Sequence, residues 1–315
     1  MERDLPVTRR TALKRLFKAS GSLAFSLPGV WSLGGIGSTM AAEAKKGFIV
    51  EGLGQKEGYD VKELVREVFD AAGGIGRFVS KGDLVALKPN ISWARHPDLA
   101  ATTHPEVLEG VIELCYEAGA KKVRVVDHTI HDPRRCFALT GAGKVSKKTN
   151  ADLVYPRNSL MKSMKIHGHR LDVWPVFTPL VEADKLINIP VAKDHGLTGL
   201  TLGIKNWIGG VGGRRSALHQ DIHQSIVDLA RFFNPTVTLI DAIRIMTQNG
   251  PSGGSRLDVA QKNTLILSND PVAADALAAG LFGYSPEKLG FISLGEKRGL
   301  GTFELDRLDK KRVVL

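Results

Sequence analysis

Short apolar runs alternate with segments of helical period along most of this chain. Lys46–Val50 predicts a first strand, and Asp60–Ala72 a helix that turns Leu64, Val65 and Val68 inward. Asp83–Leu87 predicts a buried strand that stops at Lys88-Pro89-Asn90. Pro105–Ala118 predicts a helix with proline at its first position and Gly119 just past its end. Further strands are expected at Val123–Val126, Leu153–Tyr155, Lys185–Ile189, Val237–Ile240 and Thr264–Leu267, with helices at Ser216–Phe232 and Pro271–Leu281. The less regular stretch Lys162–Val181 fits a hairpin insertion. Alternation of this kind specifies an α/β fold: a single domain with a largely parallel or mixed β-sheet flanked by helices.

In open α/β sheets ligands bind beyond the carboxyl ends of the strands. Several expected strands here end on polar groups: Lys88 and Asn90, Asp127 and His128, Lys193 with Asp194 and His195, and Asp241. Each ending alone reads as a turn or a helix cap. Four together predict a shared polar rim. Lys193, His195, Lys205 and Asp241 are the candidate catalytic groups. Lys88, Asn90, Asp127, Asn206, Arg214 and Arg215 are the candidate substrate-binding groups.

The densest segment runs from Lys193 to His223. Gly209-Gly210-Val211-Gly212-Gly213 precedes Arg214 and Arg215, and Ser216 is expected to open a helix. Backbone donors, two guanidiniums and a helix N-terminus would together suit a phosphate or carboxylate, the alternative being a flexible, solvated surface loop. The segment is neither a Walker A loop nor a dinucleotide fingerprint. His219 and His223, four residues apart, would share a helical face. A third ligand must come from elsewhere, with His195 or Asp241 as candidates, and His195, His219 and His223 form the candidate set for a divalent metal, the only cofactor the pattern suggests. Asp275 falls in an otherwise apolar helix and is expected to be a buried carboxylate bonded to a neighbouring loop, whereas Asp270 before Pro271 reads as an N-cap.

Composition narrows the function. The 315 residues carry a net charge of +10, of which six Lys/Arg and three Asp/Glu in residues 1–44 account for +3. The remainder is basic enough to favour an anionic small molecule. Aromatics at 6% and the lack of a dense basic block argue against a nucleic-acid partner. Two cysteines, Cys115 and Cys136, are too few for a four-cysteine iron–sulfur cluster, so none is expected. Cys115 sits in an apolar helical pattern and reads as a buried inert thiol.

Residues 1–44 read as an export signal. Thr8-Arg9-Arg10-Thr11-Ala12-Leu13-Lys14 is a twin-arginine pattern, Ala19–Ala42 carries no charge, and Ala42-Glu43-Ala44 offers small residues for cleavage. Pro28 and the many glycines and serines make the uncharged stretch a poor membrane span. The expectation is passage through the twin-arginine translocase, a periplasmic location and no membrane span after cleavage, with residues 45–315 as the mature domain.

An ordered set of short motifs adds a resemblance. It comprises Leu87-Lys88-Pro89-Asn90, Gly119-Ala120, Ile189-Pro190 with Lys193 and His195, Leu202-Gly203-Ile204-Lys205-Asn206, Arg215 with His219, Asp241-Ala242, Gly250-Pro251 and Asp270–Asp275. Over roughly residues 48–290 the chain resembles the family catalogued as domain of unknown function 362, in a form with an export signal. The family is often fused to ferredoxin-type clusters, whose cysteines are missing here. Asp194 stands where the family usually has a small or hydroxyl residue. The resemblance implies an α/β fold and a polar site but supplies no reaction. Two functional classes follow from the residues: an enzyme acting on an anionic small molecule, with or without a metal, or a non-catalytic periplasmic protein that binds a metal or anion.

Overall fold

The computed structural model describes residues 47–315. The export-signal expectation for residues 1–44 lies outside the described residues. The strands are β1 (Phe48–Leu53), β2 (Leu84–Pro89), β3 (Lys122–Val126), β4 (Asp152–Val154), β5 (Met161–Lys165), β6 (Val173–Phe177), β7 (Lys185–Ile189), β8 (Val191–His195), β9 (Gly199–Thr201), β10 (Val237–Met246), β11 (Val259–Ser268) and β12 (Asp309–Val314). The main sheet runs β12-β1-β11-β10-β7-β2-β3-β4. Neighbours from β10 through β7, β2 and β3 to β4 are parallel, whereas β11 is antiparallel to both β1 and β10. The sheet is therefore mixed but mostly parallel, in an α/β fold as the pattern predicts.

Helices cover both faces, and period-two alternation sorts the strand side chains between them. Val85, Leu87, Val123, Val125, Leu265 and Leu267 pack with α1 (Val61–Ala71) and α2 (Pro105–Glu117). Ala86, Val126, Leu186, Ile240 and Ile266 pack on the other face with α6 (Ile222–Phe233) and α7 (Pro271–Gly280). Between these pairs lie α3 (Pro133–Leu139), α4 (Ala142–Thr149) and the short α5 (Thr178–Val181), and α8 (Gly290–Lys297) follows α7. Capping sets the helix starts. The Asp60 carboxylate accepts the N–H groups of Lys62 and Glu63, and Asp270 those of Val272 and Ala273, as expected of an N-cap. The hairpin expected in 162–181 is the antiparallel pair β5–β6.

Two expectations need correction. The helix anticipated from Ser216 begins as a 3₁₀ segment, Arg215–Asp221, and becomes α-helical only at Ile222. Asp221 sits out of helical geometry and caps the true helix by accepting the Gln224 N–H at 3.2 Å. The strand expected to stop before Asp241 runs on to Met246, because Ala242, Ile243 and Ile245 are all buried in the core. Cys115 and Cys136 are both buried free thiols. Burial pushes Cys115 well up, so it is inert, as the sequence suggests. Among the described residues no helix is long and apolar enough to cross a membrane.

Candidate functional site

Because β2, β3 and β7 run parallel, their carboxyl ends lie along one edge, and β8 carries the chain onward from β7 there. A cavity of about 290 Å³ opens at this edge. Its wall includes Asn90 after β2, Lys193 and His195 from β8, and Lys205 and Asn206 from the segment after β9. Arg215 and His219 close it from the 3₁₀ segment, while Trp93, Ile130, Ile208 and Pro251 add apolar surface. No aspartate or glutamate lines it.

The floor is a closed polar network. Lys88, 1% exposed, pairs with Asp127 at 2.8 Å and donates to the Asn206 side-chain oxygen at 3.1 Å and to the Pro89 carbonyl at 2.7 Å. The second oxygen of Asp127 accepts the Ile91 N–H. Asn206 in turn donates to the Lys88 carbonyl and to Asn188 Oδ1, and accepts from Asn90. Every donor of this floor meets an acceptor, as burial of so many polar groups demands. Lys88 and Asp127 thus brace the site from beneath and neutralise each other.

The wall above differs. Lys193 Nζ donates to the Ala101 carbonyl and, at 3.5 Å, to Asn90 Oδ1. Burial and then the adjacent Lys205 charge hold its ammonium well below the ordinary lysine range. Lys205 is 8% exposed, and among the described residues its amine has no hydrogen-bond or ion-pair partner. Burial lowers it to about 7. The His195 ring is lowered to about 3 by burial first and then by Lys205 and Lys193, so it is neutral. Its Nδ1 accepts the Leu197 N–H at 3.2 Å, which leaves the ring proton on Nε2 as a donor.

Asp275 carries out the structural role anticipated for it. Fully buried, it accepts the N–H of Gly203 at 2.7 Å and of Ile204 at 2.9 Å, the two residues before Lys205. It is a positioning residue for that lysine. Burial raises its carboxyl to about 7.

A family model described as "Domain of unknown function (DUF362)" matches residues 85–280, well over half of the chain. The chain belongs to the DUF362 family. It is also similar to the thylakoid-associated protein sll1697 of Synechocystis sp., 26% identical over 257 residues that cover 78% of each chain. Among solved structures it resembles the lactate racemase apoprotein of Thermoanaerobacterium thermosaccharolyticum, with a TM-score of 0.48 and 14% identity. That match covers 75% of this chain and 56% of the other.

Within this DUF362 chain the sequence-predicted residues separate into three groups. Asn90, Lys193, His195, Lys205, Asn206, Arg215 and His219 share the cavity wall. Lys88 and Asp127 lie beneath it. Asp241, Arg214 and His223 do not belong to it. Asp241 sits within β10 and spends its carboxylate on the His104 and Ile243 N–H groups, at 2.7 and 3.0 Å. Arg214 is exposed to solvent. His223 stacks on Phe291, because the change from 3₁₀ to α geometry between residues 219 and 223 removes the shared face that four-residue spacing would give. The three-histidine metal set is therefore not assembled, and the described residues contain no group of three or more His, Cys, Asp or Glu placed to hold a metal. His195 is also ill-suited to bind metal through Nε2. That would need the proton on Nδ1, where the Leu197 N–H already points.

The glycine–arginine loop is a packed element, not an exposed cradle. Gly212 N–H donates to the Pro175 carbonyl at 2.8 Å, and the Gly209 carbonyl accepts the His128 N–H. A Cβ on Gly209 would lie 2.0 Å from Asp127 Oδ1, and one on Gly210 would lie 2.6 Å from the Phe233 ring. These glycines admit neighbours rather than a ligand. The Arg215 guanidinium donates to the His128 and Thr129 carbonyls at 2.7 and 2.8 Å, tying the segment to the end of β3. Two of its five donors are used, and three remain beside the cavity. Sequence reasoning missed Trp93, Thr201 and Ile208 of the wall. Pro251 carried a signal only as part of Gly250-Pro251. Asp194, the departure from the family pattern, accepts the Gly250 N–H at 3.0 Å and so supports that part of the wall.

Proposed function

We propose that this chain is an enzyme acting on a small anionic molecule, a carboxylate or phosphate, bound in the cavity between Lys193, His195, Lys205 and Arg215. One observation carries the reading: the Arg215 guanidinium, the amines of Lys193 and Lys205 and the donating His195 ring share one cavity, and no carboxylate lies on its wall. Burial holds both lysines toward their neutral form, and an anion entering this space would favour their charged forms and meet the fixed charge of Arg215. Arg215, held rigid by two carbonyls, offers fixed donors, and the His195 Nε2–H offers another. Lys205, near 7, is poised to give or take a proton at neutral pH. A reactive group at the centre of the wall favours catalysis over simple binding. The twin-arginine pattern at residues 8–14 supports export of the folded enzyme to the periplasm.

The test is calorimetric titration with phosphate, sulfate and short carboxylates. Arg215→Ala should weaken binding by about 1.5–3 kcal/mol, the range for a hydrogen bond to a charged group, and Arg215→Lys should restore part of it. Because Arg215 also braces the loop, Arg215→Ala is expected to lower the melting temperature as well. Equal affinity in all three proteins would defeat the proposal.

A further inference from the structure

We propose that Lys205 forms an imine with the carbonyl of a 2-oxo acid, which makes it a covalent catalytic lysine. The inference rests on the reading that the cavity binds a small anion, and it goes further by naming the substrate class. An amine attacks a carbonyl only through its free lone pair. Of the three lysines at this edge, Lys88 is paired with Asp127 and bonded to two further oxygens, and Lys193 is anchored by its bonds to the Ala101 carbonyl and Asn90, which hold its amine away from a ligand. Lys205 alone among these three is buried, faces the cavity and has no partner among the described residues. Its burial favours the neutral amine, and a desolvated lysine is the arrangement that activates imine-forming lysines generally.

The rest of the wall supplies the second half of the recognition. The unused donors of Arg215 and the Nε2–H of His195 suit a carboxylate. A cavity of about 290 Å³ suits a small molecule that carries both that carboxylate and the reacting carbonyl. A 2-oxo acid places them on adjacent carbons. Asp275 holds the backbone just before Lys205 and so limits where the amine can reach. In the step itself the Lys205 nitrogen bonds to the carbonyl carbon. The carbon–oxygen bond then breaks, and the oxygen leaves as water with both amine hydrogens. No oxidant or reductant is consumed. The resulting imine is an electron sink for breaking a bond at the neighbouring carbon.

The experiment incubates the full chain with pyruvate and sodium cyanoborohydride, followed by peptide mass mapping, with calorimetric titration of pyruvate and propionate in parallel. The expected result is a mass gain of pyruvate less one water plus two hydrogens, confined to the peptide holding Lys205. It should be absent in a folded Lys205→Met variant. Measurable anion binding with no adduct would overturn the imine and leave the anion site standing. No binding of either acid would overturn the anion site and the imine together. An adduct on Lys193, or one spread evenly over exposed lysines such as Lys121, would overturn the assignment to Lys205.

Discussion

Replacing Lys205 with methionine should make the protein more stable at neutral pH while abolishing activity. Lys205 makes no hydrogen bond that the substitution would break, and its stem is already buried. The lysine falls from 10.5 to about 7 on folding, because burial penalises the ammonium. A folded value below the unfolded one means that the native state binds fewer protons between pH 7 and 10.5. Stability therefore rises with pH across that window, and the penalty is complete below it. At about 1.4 kcal/mol per pH unit, the penalty is about 4 kcal/mol at pH 7 and about 2 kcal/mol at pH 9. Methionine has nothing to titrate, so the stability gap between variant and wild type should narrow by about 2 kcal/mol between those two pH values. Urea unfolding of both proteins at pH 7 and pH 9 measures this, since titrating groups not coupled to Lys205 cancel in the difference. Parallel stability profiles, or a variant less stable at both pH values, would refute the claim that Lys205 is held in an unfavourable charge state. Such a cost is what a functional site imposes on its fold.

Three further outcomes are expected. Asp275→Asn keeps one acceptor for two N–H groups and should cost about 1–3 kcal/mol. Because the native carboxyl is raised to about 7, it stays protonated while the unfolded one ionises. Wild-type stability should thus fall as pH rises from about 4 to 7, and the asparagine variant should lose that slope; equal slopes in chemical denaturation would count against it. Gly209→Ala would drive a methyl group into Asp127 and Lys88 and should destabilise by roughly 3–5 kcal/mol, the range for breaking a buried ion pair. A near-normal melting temperature would contradict that packing. Changing Arg9-Arg10 to Lys-Lys should leave the protein in the cytoplasm, and an unchanged periplasmic yield on fractionation would refute the export pathway.

Much of the site could be read before any coordinates, because strand ends leave a local record. Lys88, Asn90, Lys193 and His195 follow apolar runs directly, and parallel topology brings such ends together without further information. The failures share a cause in how the chain bends at single residues. Asp241 interrupts an apolar run and so resembled a strand end, but the distant His104 N–H and the nearby Ile243 N–H satisfy it and the strand continues. His219 and His223 have helical spacing, yet the 3₁₀ turn between them leaves His223 against Phe291. Trp93 carried no signal, since nothing in its neighbours marks a loop residue as facing a cavity.

The sequence by itself determined the α/β class, most strands of the main sheet and the longer helices, the helix caps at Asp60 and Asp270 and the buried role of Asp275. These depend on period, capping and the cost of an unpaired carboxylate, all of which are local. Tertiary structure decided which charges are free. Lys88, Lys193 and Lys205 are alike as residues and follow similar apolar runs. One meets Asp127, one meets carbonyl oxygens, and one meets only the cavity. The partner that neutralises a buried charge comes from a distant part of the chain, so only the folded arrangement distinguishes a bracing lysine from a reactive one.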